Sequence, residues 1–301
     1  MGDPLKSATV PRRVRLTAPS LYRDSTAALA TKHAKDLALA WLLKRGLALS
    51  LVVPDALDTD LLGTFTGEIE RIGTPGEVAC RKARLGMAAA NLPLGLANEG
   101  SFGPHPLMPF VPSDFELLVF VDDIEGFSVT EHILTHETNY AREECAAFRE
   151  VVAFANRVGF PSHGVIVRPV GNADTALIRK GIVSDEELAR TFAAAISGSP
   201  ERRVTVETDM RAHMNPTRMQ VLRRLGARLA RRLRTHCPRC NCPGFGCTGT
   251  EPGLPCSDCG EPTEMTLREI HACPRCAERR HQPRADGRTS ASPQHCPFCN
   301  P

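Results

Sequence analysis

Apolar segments alternate with helical patterns between residues 25 and 210 of the chain. Short apolar runs at residues 27–31 and 49–53 predict strands, and residues 34–45 repeat apolar positions at the spacing of an amphipathic helix. Alternation of this kind is typical of an α/β domain. The apolar face predicted for the first helix consists of Leu37, Ala38, Trp41 and Leu42.

Capping signals predict where two further helices begin. Thr74 followed by Pro75 and Glu77 predicts the start of a helix over residues 74–91, and Ser184 starts another that reaches residue 196. We therefore expect a mixed sheet flanked by helices. The other predicted elements are strands over 94–97, 116–121, 127–132, 164–168 and 203–206, a helix over 143–158, and a stiff proline-rich loop over 103–112.

A long basic helix is predicted over residues 216–235. Such a helix can lie along phosphates, or it can pack its apolar stripe on a core and expose its charges. The pattern favours packing. The stripe consists of Met219, Leu222, Leu225, Leu229 and Leu233, and seven arginines cover the remaining surface.

Ten of the 12 cysteines lie after residue 236, and eight of them form four CxxC pairs. A CxxC turn directs two sulfurs at one point, and two such turns complete a tetrahedron around Zn²⁺. The simplest arrangement joins neighbouring pairs into a double zinc ribbon with two structural Zn²⁺ ions. The first predicted site is Cys237, Cys240, Cys256 and Cys259, and the second is Cys273, Cys276, Cys296 and Cys299.

The remaining thiols of this region, Cys242 and Cys247, are predicted to be free. The patterns divide the chain into a flexible lead-in (1–24), an α/β domain (25–210), a linking helix (211–235) and the double zinc ribbon (236–301). No pattern specifies an oligomeric state.

The net charge of +3 is unevenly distributed, since residues 210–301 carry 15 arginines and no lysine against 7 acidic residues. A basic tail can indicate nucleic-acid binding, although zinc-bound thiolates would offset part of the charge. No apolar run approaches the roughly 20 residues of a membrane span, and no signal peptide is evident. We therefore expect a cytoplasmic protein that does not contact the membrane.

Three polar segments carry candidate chemistry. Thr31 and Lys35 lie where the first strand meets the first helix, and a helix N-terminus with lysines is a natural anion site. Glu77 and Lys82 lie on the capped helix, and Glu99 follows the next strand. Phosphoryl chemistry needs cations for the phosphates and carboxylates for a metal ion, gathered at strand ends.

The order of these segments resembles the inosine/xanthosine triphosphate pyrophosphatase superfamily. The resemblance implies that Thr31, Lys35 and Lys82 bind phosphate oxygens, and that Glu77 and Glu99 hold Mg²⁺ and help to activate water. The matching segments are Thr31…Lys35, Gly63-Thr64-Phe65, Glu77-x-Ala79-x-x-Lys82-Ala83 and Asn98-Glu99-Gly100-Ser101.

This sequence departs from that superfamily at two positions. Lys32 stands where the superfamily has asparagine, and Asn98 replaces an acidic residue. One metal ligand is therefore either missing or supplied from elsewhere, with Asp122 and Asp123 as the candidates.

Nearly the whole chain is similar to an uncharacterised bacterial family that shares the EGSFGPHP and ETDMRAHMNPTRM segments and a zinc-ribbon tail. The second segment is unusually polar and predicts a further metal or phosphate contact. The expected function is Mg²⁺-dependent hydrolysis of a nucleotide or a related phosphorylated small molecule. The alternative is a non-catalytic zinc-ribbon protein that binds nucleic acid or a protein partner.

Overall fold

The computed structural model describes residues 21–55 and 73–301, so most of the predicted lead-in and the Gly63-Thr64-Phe65 segment lie outside the described residues. The helices are α1 Asp36–Leu47, α2 Pro75–Ala90, α3 Phe148–Val158, α4 Asp185–Ser197 and α5 Pro216–Leu233. The strands are β1 Thr26–Ala30, β2 Ser50–Val52, β3 Leu94–His105, β4 Met108–Asp122, β5 Phe127–Thr135, β6 Arg142–Cys145, β7 Val165–Pro169, β8 Arg179–Ile182, β9 Val204–Thr208, β10 Gly246–Pro252, β11 Thr266–Ala272 and β12 Arg279–Pro283.

The first sheet has five strands in the order β2-β1-β3-β4-β5. β1 pairs in parallel with β2 and β3, whereas β3, β4 and β5 form an antiparallel meander. The main core, to which α1 and α5 contribute, contains Leu96 and Phe120, and α2 covers Ala97 and Val119 from the opposite face. The expected mixed sheet flanked by helices is therefore confirmed.

The chain changes from one face of the sheet to the other between β1 and β3. The helix after β1 lies on one face of the sheet, and the helix before β3 lies on the other. In open α/β sheets, such a reversal leaves a gap at the carboxyl ends of the two strands, where ligands bind. Residues 31–35, which follow β1, lie at this gap.

The prolines after Glu99 belong to a β-hairpin, so the predicted stiff loop is wrong. β3 and β4 pair continuously from Leu94 opposite Asp122 to Pro104 opposite Pro112. Proline has no N–H to donate, and strands accept it where that position needs no ladder hydrogen bond. The paired Pro104 and Pro112 meet this condition together.

The second sheet is fully antiparallel, in the order β6-β9-β7-β8, and packs α3 and α4 around a separate core that includes Phe154 and Val206. The predicted strands over 164–168 and 203–206 are confirmed as β7 and β9. The helix predicted over 143–158 begins only at Phe148, because residues 142–145 pair with β9 as β6.

The apolar face predicted for α1 is confirmed at Ala38, which is buried, but is wrong at Leu37 and Trp41. Leu37 and Trp41 are 70% and 64% exposed, whereas Leu39 and Leu43 are fully buried. The helix begins at Asp36 and rotates this second set of leucines toward α5 and the sheet. No helix in the described part of the chain combines the length and apolarity that a membrane crossing requires.

The predicted stripe of α5 is confirmed, since all five of its residues are buried in the main core. Several arginines of this helix have intramolecular partners. Arg224 pairs with Glu137 at 2.9 Å, and Arg228 donates to the His132 carbonyl. The helix thus completes the core of the first sheet before the chain enters the C-terminal module, a three-stranded antiparallel sheet of β10, β11 and β12.

Candidate metal centres and a polar crevice

The eight CxxC cysteines form two groups of four, but the pairing is interleaved. The inner site consists of Cys237, Cys240, Cys273 and Cys276, and the outer site consists of Cys256, Cys259, Cys296 and Cys299. The sequential pairing predicted from the sequence is therefore wrong, although the ligand set is the predicted one.

Strand direction explains the interleaving. β10 runs from the first CxxC turn to the second, β11 returns to the third, and β12 leads toward the fourth. Antiparallel strands bring alternate turns to the same end of a sheet. The first and third turns therefore meet at one end, and the second and fourth meet at the other.

The sulfur geometry fits zinc. Zn–S bonds of about 2.3 Å in a tetrahedron place the sulfurs about 3.8 Å apart. The Sγ–Sγ distances are 3.7 Å for Cys237–Cys276 and 3.6 Å for Cys240–Cys273 in the inner site. Those of the outer site are 3.9 Å for Cys256–Cys299 and 3.5 Å for Cys259–Cys296. A disulfide would need about 2.05 Å, so both groups suit a divalent ion rather than a cross-link.

Local backbone turns hold the sulfurs in place. Cys237 N–H donates to the Cys242 carbonyl at 2.8 Å, and Cys256 N–H donates to the Glu261 carbonyl at the same distance. Asn241 and Gly260, four residues after the first cysteine of their turns, have positive φ. Glycine and asparagine tolerate that conformation, which explains their occurrence directly after two of the CxxC pairs.

The inner site packs on the main core. Cys237 belongs to that core, and Cys240, Cys273 and Cys276 pack against it. Cys242 is buried beside them, and burial raises the pKa of its thiol to about 12. It lies in neither group of four, as predicted.

The inner site is also tied to the first sheet by arginines. Arg275 pairs with Glu125 at 2.5 Å and donates to the Cys240 carbonyl. Arg232 of α5 donates to the carbonyls of Gly244 and Cys247 and pairs with Glu131.

A second cluster, the polar crevice, lies where β1 ends beside the middle of β3. Its members are Lys35, Lys82, Asn98, Glu99, Glu116 and Arg218. Lys35 Nζ donates to the Asn98 carbonyl at 3.3 Å. Burial, followed by the charge of Arg218, lowers the pKa of Lys35 to about 7, against the opposing effects of Glu116 and Glu99. Charges of both signs therefore act on one lysine at the predicted anion site.

Lys82 and Glu99 form an ion pair of 2.6 Å with side chains only 10% and 3% exposed. Glu77 lies elsewhere on α2, at its exposed start, where Oε2 accepts from the N–H of Thr74 at 2.8 Å. These bonds complete the predicted capping box and lower the pKa of Glu77. The structure brings Glu99 to Lys82 and uses Glu77 as a helix cap, so a catalytic role for either glutamate stays a prediction.

The largest buried network escaped the sequence analysis. Glu116 accepts from Arg218 Nε at 2.6 Å and from Asn98 Nδ2 at 2.8 Å. Arg218 also donates to the Met210 carbonyl, and Asn215 Oδ1 caps its helix by accepting from Arg218 N–H. Glu116 lies on the same face of β4 as Leu118 and Phe120, which are buried in the main core. A charged residue at an apolar position of this strand was the sequence signal that could have revealed the network.

Gly100 is needed beside this network. A Cβ atom there would stand 2.5 Å from Arg218 Nη2 and 2.9 Å from both carboxylate oxygens of Glu116. Asp114, two residues before Glu116, is also buried, and neither of its carboxylate oxygens has a hydrogen-bond partner among the residues that the structure describes. Burial and the charge of Glu116 raise the pKa of Asp114 to about 8.

The polar segment over 207–219 reaches the crevice through Arg218 and approaches the loop after β1. The rings of His33 and His213 lie 5.4 Å apart. Burial and Arg211 lower the pKa of His213, and Arg211 itself is held by Asp209 at 2.6 Å. Thr31 is buried, and its Oγ1 accepts from His33 N–H.

The expectation that Asp122 or Asp123 completes a metal site is wrong. Asp122 lies opposite Leu94, five residues or roughly 17 Å along β3 from Glu99. It accepts from Tyr22 and from two turn N–H groups, and Asp123 pairs with Arg84 at 2.8 Å.

Taken together, the fold and the cysteine sites define a mixed α/β protein with a C-terminal module suited to two structural metal ions. Residues 81–301 match a family model described as a domain of unknown function, DUF6671, and the chain belongs to that family. The predicted membership of an uncharacterised domain family is thus confirmed. Comparison with curated proteins and with solved structures found no match.

Proposed function

We propose that the polar crevice binds and hydrolyses a nucleotide or a related phosphorylated small molecule, as the resemblance to the inosine/xanthosine triphosphate pyrophosphatases implies. One observation carries the proposal: the charges that act on Lys35 include Arg218, Lys82, Glu99 and Glu116. Three cations and two carboxylates therefore gather beyond the carboxyl end of β1, which is a usual ligand position in such sheets.

Lys35 is the cation best suited to a phosphate. Its Nζ donates to the Asn98 carbonyl, and none of the salt bridges between described residues involves it. Lys82 and Arg218 already hold Glu99 and Glu116. An anionic group that binds in the crevice could form an ion pair with Lys35, because the nearby carboxylates of Glu99 and Glu116 are already paired with Lys82 and Arg218.

Mg²⁺ would be held by few protein ligands. Apart from the cysteine-containing groups, no set of three ligating side chains lies together within residues 21–55 and 73–301. Mg²⁺ commonly binds one or two carboxylates together with substrate phosphates and water, and Glu99 meets that demand. When bound, the ion would neutralise phosphate charge, while the ion pair with Lys82 orients Glu99.

Release of pyrophosphate and phosphate from a panel of standard and deaminated nucleoside triphosphates, with Mg²⁺ and the zinc-loaded protein, tests this function. Glu99→Gln is expected to lower turnover by at least about 100-fold. Glu251→Gln changes a half-buried carboxylate in the cysteine module, far from Glu99 in the fold, and should leave turnover unchanged. No release from any nucleotide, or full activity in Glu99→Gln, would overturn the proposal.

The pH dependence of binding provides a second test. Only protonated Lys35 attracts an anion, so nucleotide affinity should fall as pH rises through about 7. Arginine stays charged throughout this range, so Lys35→Arg should bind with little dependence on pH. Equal pH dependence in both proteins would contradict the role of Lys35.

The exposed basic strand β12 favours one alternative, a cysteine module that binds nucleic acid. All five residues of Arg279–Pro283 are exposed. Such binding should weaken steeply between low and moderate salt, because phosphate contacts release counterions. Arg279→Ala should reduce the salt slope of RNA or DNA binding by about one ion. A salt-independent interaction would indicate a protein partner instead. Both functions are compatible with the predicted cytoplasmic location, where reduced thiols are kept available for zinc.

A further inference from the structure

A third group of metal-ligating side chains lies on strands β10 and β11 of the cysteine module. Cys247 on β10 and His271 on β11 are direct register partners, and Glu269 lies two residues before His271. Register partners in an antiparallel pair share a face, and so do residues two apart along one strand. One ligand atom from each side chain lies within 4.8 Å of the others.

We propose that Cys247, Glu269 and His271 form a third metal site, for Zn²⁺ or a similar divalent transition-metal ion. Thiolate, imidazole and carboxylate are the three protein ligands that Zn²⁺ accepts. One thiolate and one carboxylate balance the charge of a divalent ion, with neutral histidine as the third ligand.

Neighbouring groups position these three side chains. Arg232 donates to the Cys247 carbonyl at 3.1 Å and fixes β10 beside the sulfur. The Phe245 ring lies 6.2 Å from that of His271. His271 Nε2 lies 2.9 Å from a carboxylate oxygen of Glu269, so two of the three ligands already face each other.

The number of protein ligands distinguishes this site from the two structural ones. Cys247 is exposed, and neither group of four uses its sulfur. Three protein ligands leave a fourth tetrahedral position for water or another molecule, as in zinc sites that do chemistry or exchange their ions. The third site is therefore expected to be weaker than the inner and outer sites and to load last.

Cobalt provides a direct test, because Co²⁺ bound to a thiolate absorbs in the near ultraviolet and visible. Protein holding two Zn²⁺ per chain would be titrated with Co²⁺ while its zinc content is followed. We expect one further equivalent to bind with a thiolate-to-cobalt band and with zinc constant at two. No cobalt uptake beyond exchange with zinc would overturn the proposal.

Variants identify the ligands. Cys247→Ser should abolish the thiolate band, whereas Cys80→Ser, a half-buried thiol on α2, should retain it. Glu269→Gln should weaken cobalt binding by at least about tenfold, the effect that even outer partners of metal ligands commonly produce. Glu251→Gln is its matched control, because Glu251 pairs with Arg268 elsewhere on the same sheet.

Zinc content of two per chain in each variant would show that the module still folds. A band that survives in Cys247→Ser would assign the extra cobalt to another thiol and refute the site. Because the test involves no nucleotide, its outcome is independent of the proposed hydrolase function.

Discussion

The inner and outer tetracysteine sites are built from the same turns but differ in their surroundings. Cys237 and Cys256 are the first cysteines of their turns, and they are 2% and 3% exposed. Yet Cys237 belongs to the main core, while no outer-site cysteine appears in any core cluster of the described residues. The outer site rests on local contacts such as the Ser257 N–H bond to the Ala291 carbonyl.

This difference indicates that one chemical motif serves two structural purposes. The inner site joins the C-terminal module to α5 and the first sheet. The outer site closes the far end of a small sheet with little core of its own. Metal-binding energy is folding energy for such a module, but the part of the chain that depends on it differs between the two sites.

The largest expected effect comes from removing one buried ligand at each site. Cys237→Ser should lower the global free energy of unfolding by about 4 kcal/mol or more, since loss of a structural metal is among the most damaging changes. Cys256→Ser should destabilise only residues near the outer site. Hydrogen exchange of the β3 and β4 amides distinguishes the two variants, since only Cys237→Ser should reduce their protection. Equal protection in both variants would contradict the proposed difference between the inner and outer sites.

A chelator should remove zinc from the two sites one after the other. The outer site exposes Cys259 and Cys299, whereas the inner cysteines are buried or partly buried. We therefore expect two phases of zinc release, with the outer ion leaving first. Cys256→Ser should eliminate the fast phase and leave the slow one. A single phase in the unmodified protein would mean that the sites are equally accessible.

A smaller effect on stability is expected from removing arginine side chains that contact the C-terminal module. Arg232→Ala removes bonds to the Gly244 and Cys247 carbonyls and a pair with Glu131, and its side chain is 9% exposed. The expected loss is about 1.5–3 kcal/mol, as for other hydrogen bonds to charged groups. Arg268→Ala removes a more exposed pair with Glu251 and should cost less than about 1 kcal/mol. Denaturant unfolding measures both losses, and a reversed order would contradict the role of Arg232 in docking the module.

The smallest effect tests whether the turns are interchangeable. Gly260→Asn should change stability by less than about 0.5 kcal/mol, because asparagine occupies the equivalent position 241 with positive φ and a Cβ at Gly260 meets open space. Gly260→Val should be clearly worse, since branched side chains are strained there. Thermal unfolding of the zinc-loaded protein measures both. Similar losses for Asn and Val would show that φ does not limit this turn.

Local signals explain what the sequence by itself determined. The ligand cysteines, the capping box at Thr74 and Glu77 and the buried stripe of α5 each depend on residues within a few positions of one another. Helix periodicity, cap chemistry and turn-forming residues act over that range, so they can be recognised without knowing the remainder of the fold.

The tertiary structure alone decided which local pieces meet. The return of β11 and β12 paired alternate cysteine turns, and the β3–β4 hairpin replaced a proline-rich loop with continuous strand pairing. Burial of Glu116 against Arg218 joins residues 102 positions apart. Such contacts depend on strand order and on the exclusion of water from a shared core, neither of which any short stretch of sequence specifies.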